Sequence, residues 1–106
     1  MNYEDAITAL ADPTRRVIID RLRSGALPVG AIAKGMTISR PAVSQHLRVL
    51  SDAGLLTVTP VGNRRLYAIA PQGVAGLRAY LDTLWDDSLA AFARAAQEKA
   101  KENNNA

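Results

Sequence analysis

The stretch Ser39-Arg40-Pro41-Ala42-Val43-Ser44-Gln45-His46-Leu47-Arg48-Val49-Leu50 decides how this chain is read. Ser39 offers a side-chain acceptor at a helix start, and Pro41 is tolerated in a first turn, where amide hydrogens lack an intrahelical acceptor anyway. Val43, Leu47 and Leu50 recur at i, i+4 and i+7, which places them on one helix face. The opposite face carries Arg40, Ser44, Gln45 and Arg48. Such a helix can fix its tilt with the apolar face and offer the polar one to base edges in a major groove. Arg40 can make two hydrogen bonds to guanine O6 and N7, and Gln45 two to adenine N6 and N7, each worth about 1–3 kcal/mol of discrimination. Ser44 suits a base or a phosphate, and the amides at the helix start near Ser39 form a natural phosphate site.

On the N-terminal side, Ile7, Leu10 and Ala11 mark a short helix over residues 3 to 11. Asp12-Pro13-Thr14 combines an N-cap acceptor with proline at the first helical position, so a second helix is expected from 13 to Ser24-Gly25, with Val17, Ile18 and Leu22 as its stripe. Pro28 restarts the chain, and Val29, Ile32, Ala33 and Met36 predict a short helix followed by a tight turn. On the C-terminal side, Ala53-Gly54 ends the helix quoted above. Leu56, Val58 and Val61, then Leu66 to Ile69, are β-favouring runs joined at Gly62-Asn63, with Pro60 admissible only near the end of an edge strand. After Pro71 a last helix is signalled by Leu77, Leu81, Leu84, Trp85, Leu89 and Phe92. The expected fold is mostly α with a small β-hairpin wing: a winged helix-turn-helix in the order α-α-α-α-β-β-α. One domain spans 1–96, and the polar, Asn-rich stretch 97–106 is expected to fray.

Charge agrees with this reading once it is divided along the chain. The net charge of 106 residues is only +3, but residues 15 to 65 hold nine Arg and Lys against Asp20 and Asp52. The flanks are slightly acidic, so the positive surplus sits where the helix-turn-helix and wing are expected, the distribution suited to double-stranded DNA. Asn63, Arg64 and Arg65 fall at the hairpin tip, within reach of a minor groove or its phosphates. Readout is thus expected from the 39–50 helix and the 57–69 wing, through Ser39, Arg40, Pro41, Ser44, Gln45, Arg48, Asn63, Arg64 and Arg65.

Other function classes fare worse. The chain has no cysteine, which removes disulfides, thiolate metal sites and thiol redox sensing together. No span approaches the roughly 20 apolar residues of a membrane helix, and a cytoplasmic location is expected. The sole histidine, His46, lies on the partly buried side of its helix and reads as a packed, hydrogen-bonded residue. Ser44 and His46 are two residues apart and point away from each other, so they do not form a nucleophile and base, and no enzyme is expected. The competing reading is a winged helix that docks a protein instead of DNA, against which Arg40, Gln45, Arg64 and Arg65 argue.

Leu10-Ala11-Asp12-Pro13-Thr14-Arg15-Arg16, the 39–50 stretch and Ala53-Gly54-Leu55-Leu56 together resemble the ArsR family of winged-helix repressors over roughly residues 5 to 92. The resemblance implies a homodimer built from the first and last helices, which binds a pseudo-palindromic operator and represses. Its interface would comprise Ile7, Leu10, Leu77, Leu81, Leu84, Trp85, Leu89 and Phe92. Arsenic- and metal-sensing relatives carry Cys in the short helix, where this chain has Val29-Gly30-Ala31-Ile32. Zinc-responsive relatives place Asp, His, His and Glu along the last helix, where this chain has Asp82, Asp86 and Asp87 and no histidine. Zinc favours imidazole and thiolate, so no metal and no cofactor are expected at those sites.

Overall fold

The computed structural model describes residues 2–104. Helix α1 spans Tyr3–Leu10 and α2 spans Pro13–Arg21; a two-residue strand β1, Leu27–Pro28, leads into α3, Val29–Ala33. Helix α4 spans Arg40–Asp52, strands β2 and β3 span Leu56–Val61 and Arg64–Ile69, and α5 runs over Pro71–Asn104. This is a winged helix-turn-helix, with α3 and α4 as the helix pair and β2–β3 as the wing.

Local chemistry sets most boundaries. The Asp12 carboxylate accepts from the Thr14 and Arg15 amides at 2.8 and 3.2 Å, which caps α2. Ser39 Oγ accepts from Ala42 N–H at 3.2 Å and caps α4. At the other end of α4, Gly54 N–H bonds Ser51 C=O and Leu55 N–H bonds Leu50 C=O, both at 3.0 Å. That paired arrangement needs a left-handed residue after the cap, and Gly54 supplies it at φ 81°. The wing turns at Gly62, also left-handed at φ 61°.

The core forms where α1, α2, α3 and α4 meet the sheet. Ile18, Ile32, Val43, Leu47 and Leu50 are completely buried, so the stripe expected on α4 is the inner face of the helix. Burial of side chains of this kind contributes about 1.5–3 kcal/mol each. Pro60 lies on β2, an edge strand, as its missing amide requires.

The structure departs from the sequence expectations in four places. The sheet has three strands in the order β1-β3-β2, because Leu27 and Pro28 pair antiparallel with Tyr67 and Leu66. A two-residue strand carries no periodicity that could announce it. Helix α2 stops at Arg21, short of Ser24-Gly25, and α3 stops at Ala33, short of Met36. Helix α5 continues to Asn104 instead of fraying from 97, since Gln97-Glu98-Lys99-Ala100-Lys101-Glu102 is an unbroken run of strong helix formers; Asn105 and Ala106 lie outside the described residues.

The start of α5 sits directly on the end of α4. A Cβ built on Gly73 would fall 1.9 Å from the Gly54 carbonyl oxygen and 3.0 Å from its carbon, and both are backbone atoms that cannot swing aside. Only glycine permits this approach. Gly73→Ala is therefore expected to cost about 1–3 kcal/mol, the range for overpacking a close contact. An unchanged urea midpoint for that variant would show that α5 moves away from Gly54 freely.

Candidate nucleic-acid interface

Every side chain expected to meet nucleic acid is exposed: Ser39, Arg40, Pro41, Ser44, Gln45 and Arg48 on or beside α4, and Asn63, Arg64 and Arg65 at the wing tip. The two groups flank common space. A crevice of about 300 Å³ between α3, the start of α4 and β3 is lined by Gly30, Arg40, Asn63, Arg64, Arg65 and Tyr67, among others. A second, of about 470 Å³, is lined by Ser44, Arg48, Ser51, Val58, Arg65 and Tyr67. Arg65 and Tyr67 belong to both, as befits residues i and i+2 on one face of a strand.

Tyr67 was not among the residues expected at the interface. The usable signal was the period of two from Arg65, but an aromatic in a β-favouring run reads first as core, and Tyr67 is in fact half-buried. The backbone contribution expected at the start of α4 is smaller than the helix end suggests. Pro41 has no amide hydrogen, and Ala42 N–H is taken by Ser39 Oγ. Side chains must therefore supply most of any phosphate contact there.

The basic block divides by what each cation touches. Arg15 Nε donates to Ala9 C=O at 2.6 Å, and Arg16 Nη1 donates to Leu10 and Ala11 C=O at 2.9 Å each, so both close the end of α1. Arg21 Nη1 donates to Ile32 C=O at 2.8 Å and also to Lys34 C=O, closing α3. Cations at helix C-termini satisfy free carbonyls and complement the helix dipole. Arg23 and Arg48 sit 3.9 Å from Asp20 and Asp52 in exposed pairs of small energetic value. Lys34, Arg40, Arg64 and Arg65 make no ion pair and no side-chain hydrogen bond among the described residues.

His46 is half-buried, and its Nδ1 lies 3.4 Å from Arg15 Nη1. A guanidinium only donates, so Nδ1 is the acceptor of this contact. His46 is thus a packed, bonded residue that links α4 to the α1–α2 junction. No group of three or more His, Asp or Glu side chains among the described residues is placed to hold a metal ion.

On α5 the apolar stripe separates into two parts. Leu77 is buried in its own domain and Leu10 of α1 packs against the same core, so neither needs a partner for cover. Ile7, Leu81, Leu84 and Leu89 are exposed, as are Trp85 at 64% and Phe92 at 74%. Tyr3 and Tyr80 stack with centroids 5.0 Å apart and planes 5° apart, which fastens α1 to α5 at the base of this surface.

Residues 10–59 match a family model described as a helix-turn-helix domain. The HTH-type transcriptional regulator Rv2034 of Mycobacterium tuberculosis (strain ATCC 25618 / H37Rv) is 50% identical over 86 residues, covering 81% of this chain and 80% of that protein. The crystal structure of the ArsR family transcriptional regulator RHA00566 superposes with a TM-score of 0.70 at 31% identity, covering 78% of this chain and 94% of that one. The chain belongs to the ArsR family. This family member also superposes, with a TM-score of 0.64 at 32% identity, on the solution structure of the winged helix-turn-helix DNA-binding domain of Mb0332 from Mycobacterium bovis, described as homodimeric. That match covers 79% of this chain and 78% of the other.

The junction that carries Arg15 and His46 should respond to acid. Hydrogen bonding from Arg15 N–H, then from Thr14 N–H and the Arg15 charge, holds the Asp12 carboxyl below its ordinary value of 3.8, against a desolvation effect that raises it. A carboxyl lowered in the folded state stabilises the fold above its unfolded value, and that contribution disappears as pH falls through the folded value. Urea midpoints measured from pH 5 downward are expected to fall less steeply for Asp12→Asn than for the parent chain; parallel curves would remove Asp12 from the acid response.

Proposed function

We propose that this protein is a homodimeric transcriptional repressor that binds a pseudo-palindromic operator in double-stranded DNA, with α4 in the major groove and the wing over the adjacent minor groove. The observation that carries the reading is the division of α4: Val43, Leu47 and Leu50 are completely buried, while Ser44, Gln45 and Arg48 stand exposed beside a wing tip bearing Arg64 and Arg65. In this reading Arg40, Ser44 and Gln45 read base edges, and Ser39, Pro41, Arg48, Asn63, Arg64 and Arg65 meet the backbone. Two copies of α4 would occupy successive major grooves about 34 Å apart. Occupation of both grooves blocks a promoter, which is repression by exclusion. The function is regulatory, not enzymatic, and is exercised in the cytoplasm; among the described residues no helix is long and apolar enough to cross a membrane.

The dimer reading is supported by the exposed stripe on α5 with Ile7 of α1, and by the homodimeric M. bovis relative. Six side chains of this size at about 1.5–3 kcal/mol each are of the order needed to offset an association cost of about 4–15 kcal/mol. Trp85→Asp is expected to yield monomers by sedimentation at micromolar concentration; a dimer that persists would move the interface off α5.

The DNA reading predicts steep salt dependence. With about 6–10 phosphate contacts, affinity for the region upstream of its own gene should fall about 10³- to 10⁵-fold between 50 and 200 mM salt. Gln45→Ala should reduce discrimination against single-base operator variants by about 5- to 150-fold, the equivalent of 1–3 kcal/mol, whereas Arg64→Ala should weaken binding to all sequences alike. Identical behaviour of these two variants in gel-shift titrations would refute the division of roles.

A further inference from the structure

Among the described residues, four cations of the basic block remain without a partner once helix ends and exposed pairs are accounted for, and three of them, Arg40, Arg64 and Arg65, line the same crevice of about 300 Å³. No carboxylate lines it. The Arg40 guanidinium lies face-on against α3: its Nη2, Cζ and Nη1 atoms are 3.7, 3.8 and 3.8 Å from where a Gly30 Cβ would sit. It therefore lies against α3, at the crevice that Arg40 shares with the wing tip. Opposite it, Arg65 and Tyr67 present one face of β3, and the Tyr67 hydroxyl has no hydrogen-bond partner among the described residues.

Three guanidiniums and a free phenol that line one crevice, with no carboxylate beside them among the described residues, suit a tetrahedral oxyanion, since charged and neutral donors can surround its oxygens together. The location selects which oxyanion. When α4 fills a major groove and the wing tip reaches the next minor groove, the sugar-phosphate strand dividing those grooves must cross between them, over this crevice. We infer that Arg40, Arg65 and Tyr67 clamp one phosphodiester of that strand, so that Arg40 is a backbone-positioning residue instead of a base reader and Tyr67 is a DNA contact. This assignment rests on the DNA-binding reading proposed above, changes the role of Arg40 within it and adds Tyr67 to the contacts. A phosphate held midway between the two reading elements sets the register of both, although it carries no sequence information itself.

The test uses the full chain and two probes: a random-sequence 30-bp duplex, and the sequence that the parent chain enriches from a randomised duplex pool. Arg40→Ala is expected to lower the slope of log affinity against log salt by about 0.9, the signature of one lost phosphate contact, on both probes. It should enrich the same sequence as the parent. Arg40→Lys, which keeps the charge, should restore the slope. Tyr67→Phe should weaken both probes by about tenfold without altering the enriched sequence, with thermal midpoints confirming that each variant is folded. An unchanged slope with a base preference lost at one position would return Arg40 to base reading and overturn the clamp. Unaltered binding by Tyr67→Phe would remove Tyr67 from it. Failure of the parent chain to bind any duplex would overturn the DNA reading itself, and the clamp with it.

Discussion

Val43, Leu47 and Leu50 are wholly excluded from solvent, and through them α4 is seated against Ile18 of α2 and Ile32 of α3 in one core. A helix held by three consecutive turns of buried side chains has no freedom to roll. Its opposite face, with Ser44, Gln45 and Arg48, is therefore presented in one orientation only. The ends are equally determined: Ser39 closes the first turn, and the bonds from Gly54 and Leu55 close the last. Everything that follows α4 in the chain inherits this placement. Leu55 C=O accepts from Ala70 N–H at 2.9 Å, joining the two ends of the wing immediately after the helix stops.

The same constraint ties α4, whose exposed face is proposed to meet DNA, to α5, whose exposed stripe is proposed to meet a second copy. Gly73 of α5 touches the Gly54 carbonyl, which is the residue that terminates α4. Tyr80, two turns further along, stacks on Tyr3 of α1. Helix α5 is thus attached at its base to both the end of α4 and the start of the chain, while from Leu81 to Asn103 its side chains stand clear of the domain.

Charge is deployed in two unlike ways. Arg15, Arg16 and Arg21 are spent inside the protomer on helix carbonyls, where a cation both satisfies an orphan acceptor and meets the negative end of the dipole. Arg40, Arg64 and Arg65 remain at the mouth of the wing crevice. A count of basic residues from 15 to 65 therefore overstates what is offered to a partner and understates how locally it is concentrated. Among the described residues, three of the four free cations line the one crevice that the start of α4 shares with the wing tip.

Helix-forming periodicity, capping residues and turn residues are local properties, and they were legible in the sequence. Asp12-Pro13, Ser39, Gly54 and Gly62 mark element ends by their own backbone chemistry, and the 39–50 stripe announces its inner face by spacing alone. The exposed α5 stripe was legible for the same reason. What pairs with what was not. The β1 strand exists because Leu27 and Pro28 are carried past Leu66 and Tyr67, residues about forty positions away, and nothing within two residues can encode that. The inward use of Arg15, Arg16 and Arg21, the approach of Gly73 to Gly54 and the turn of Arg40 onto Gly30 likewise depend on where other elements lie. A side chain's type sets what it is able to bond, which the sequence determines; the tertiary structure decides which of those bonds is already occupied within the chain and which is left for a partner.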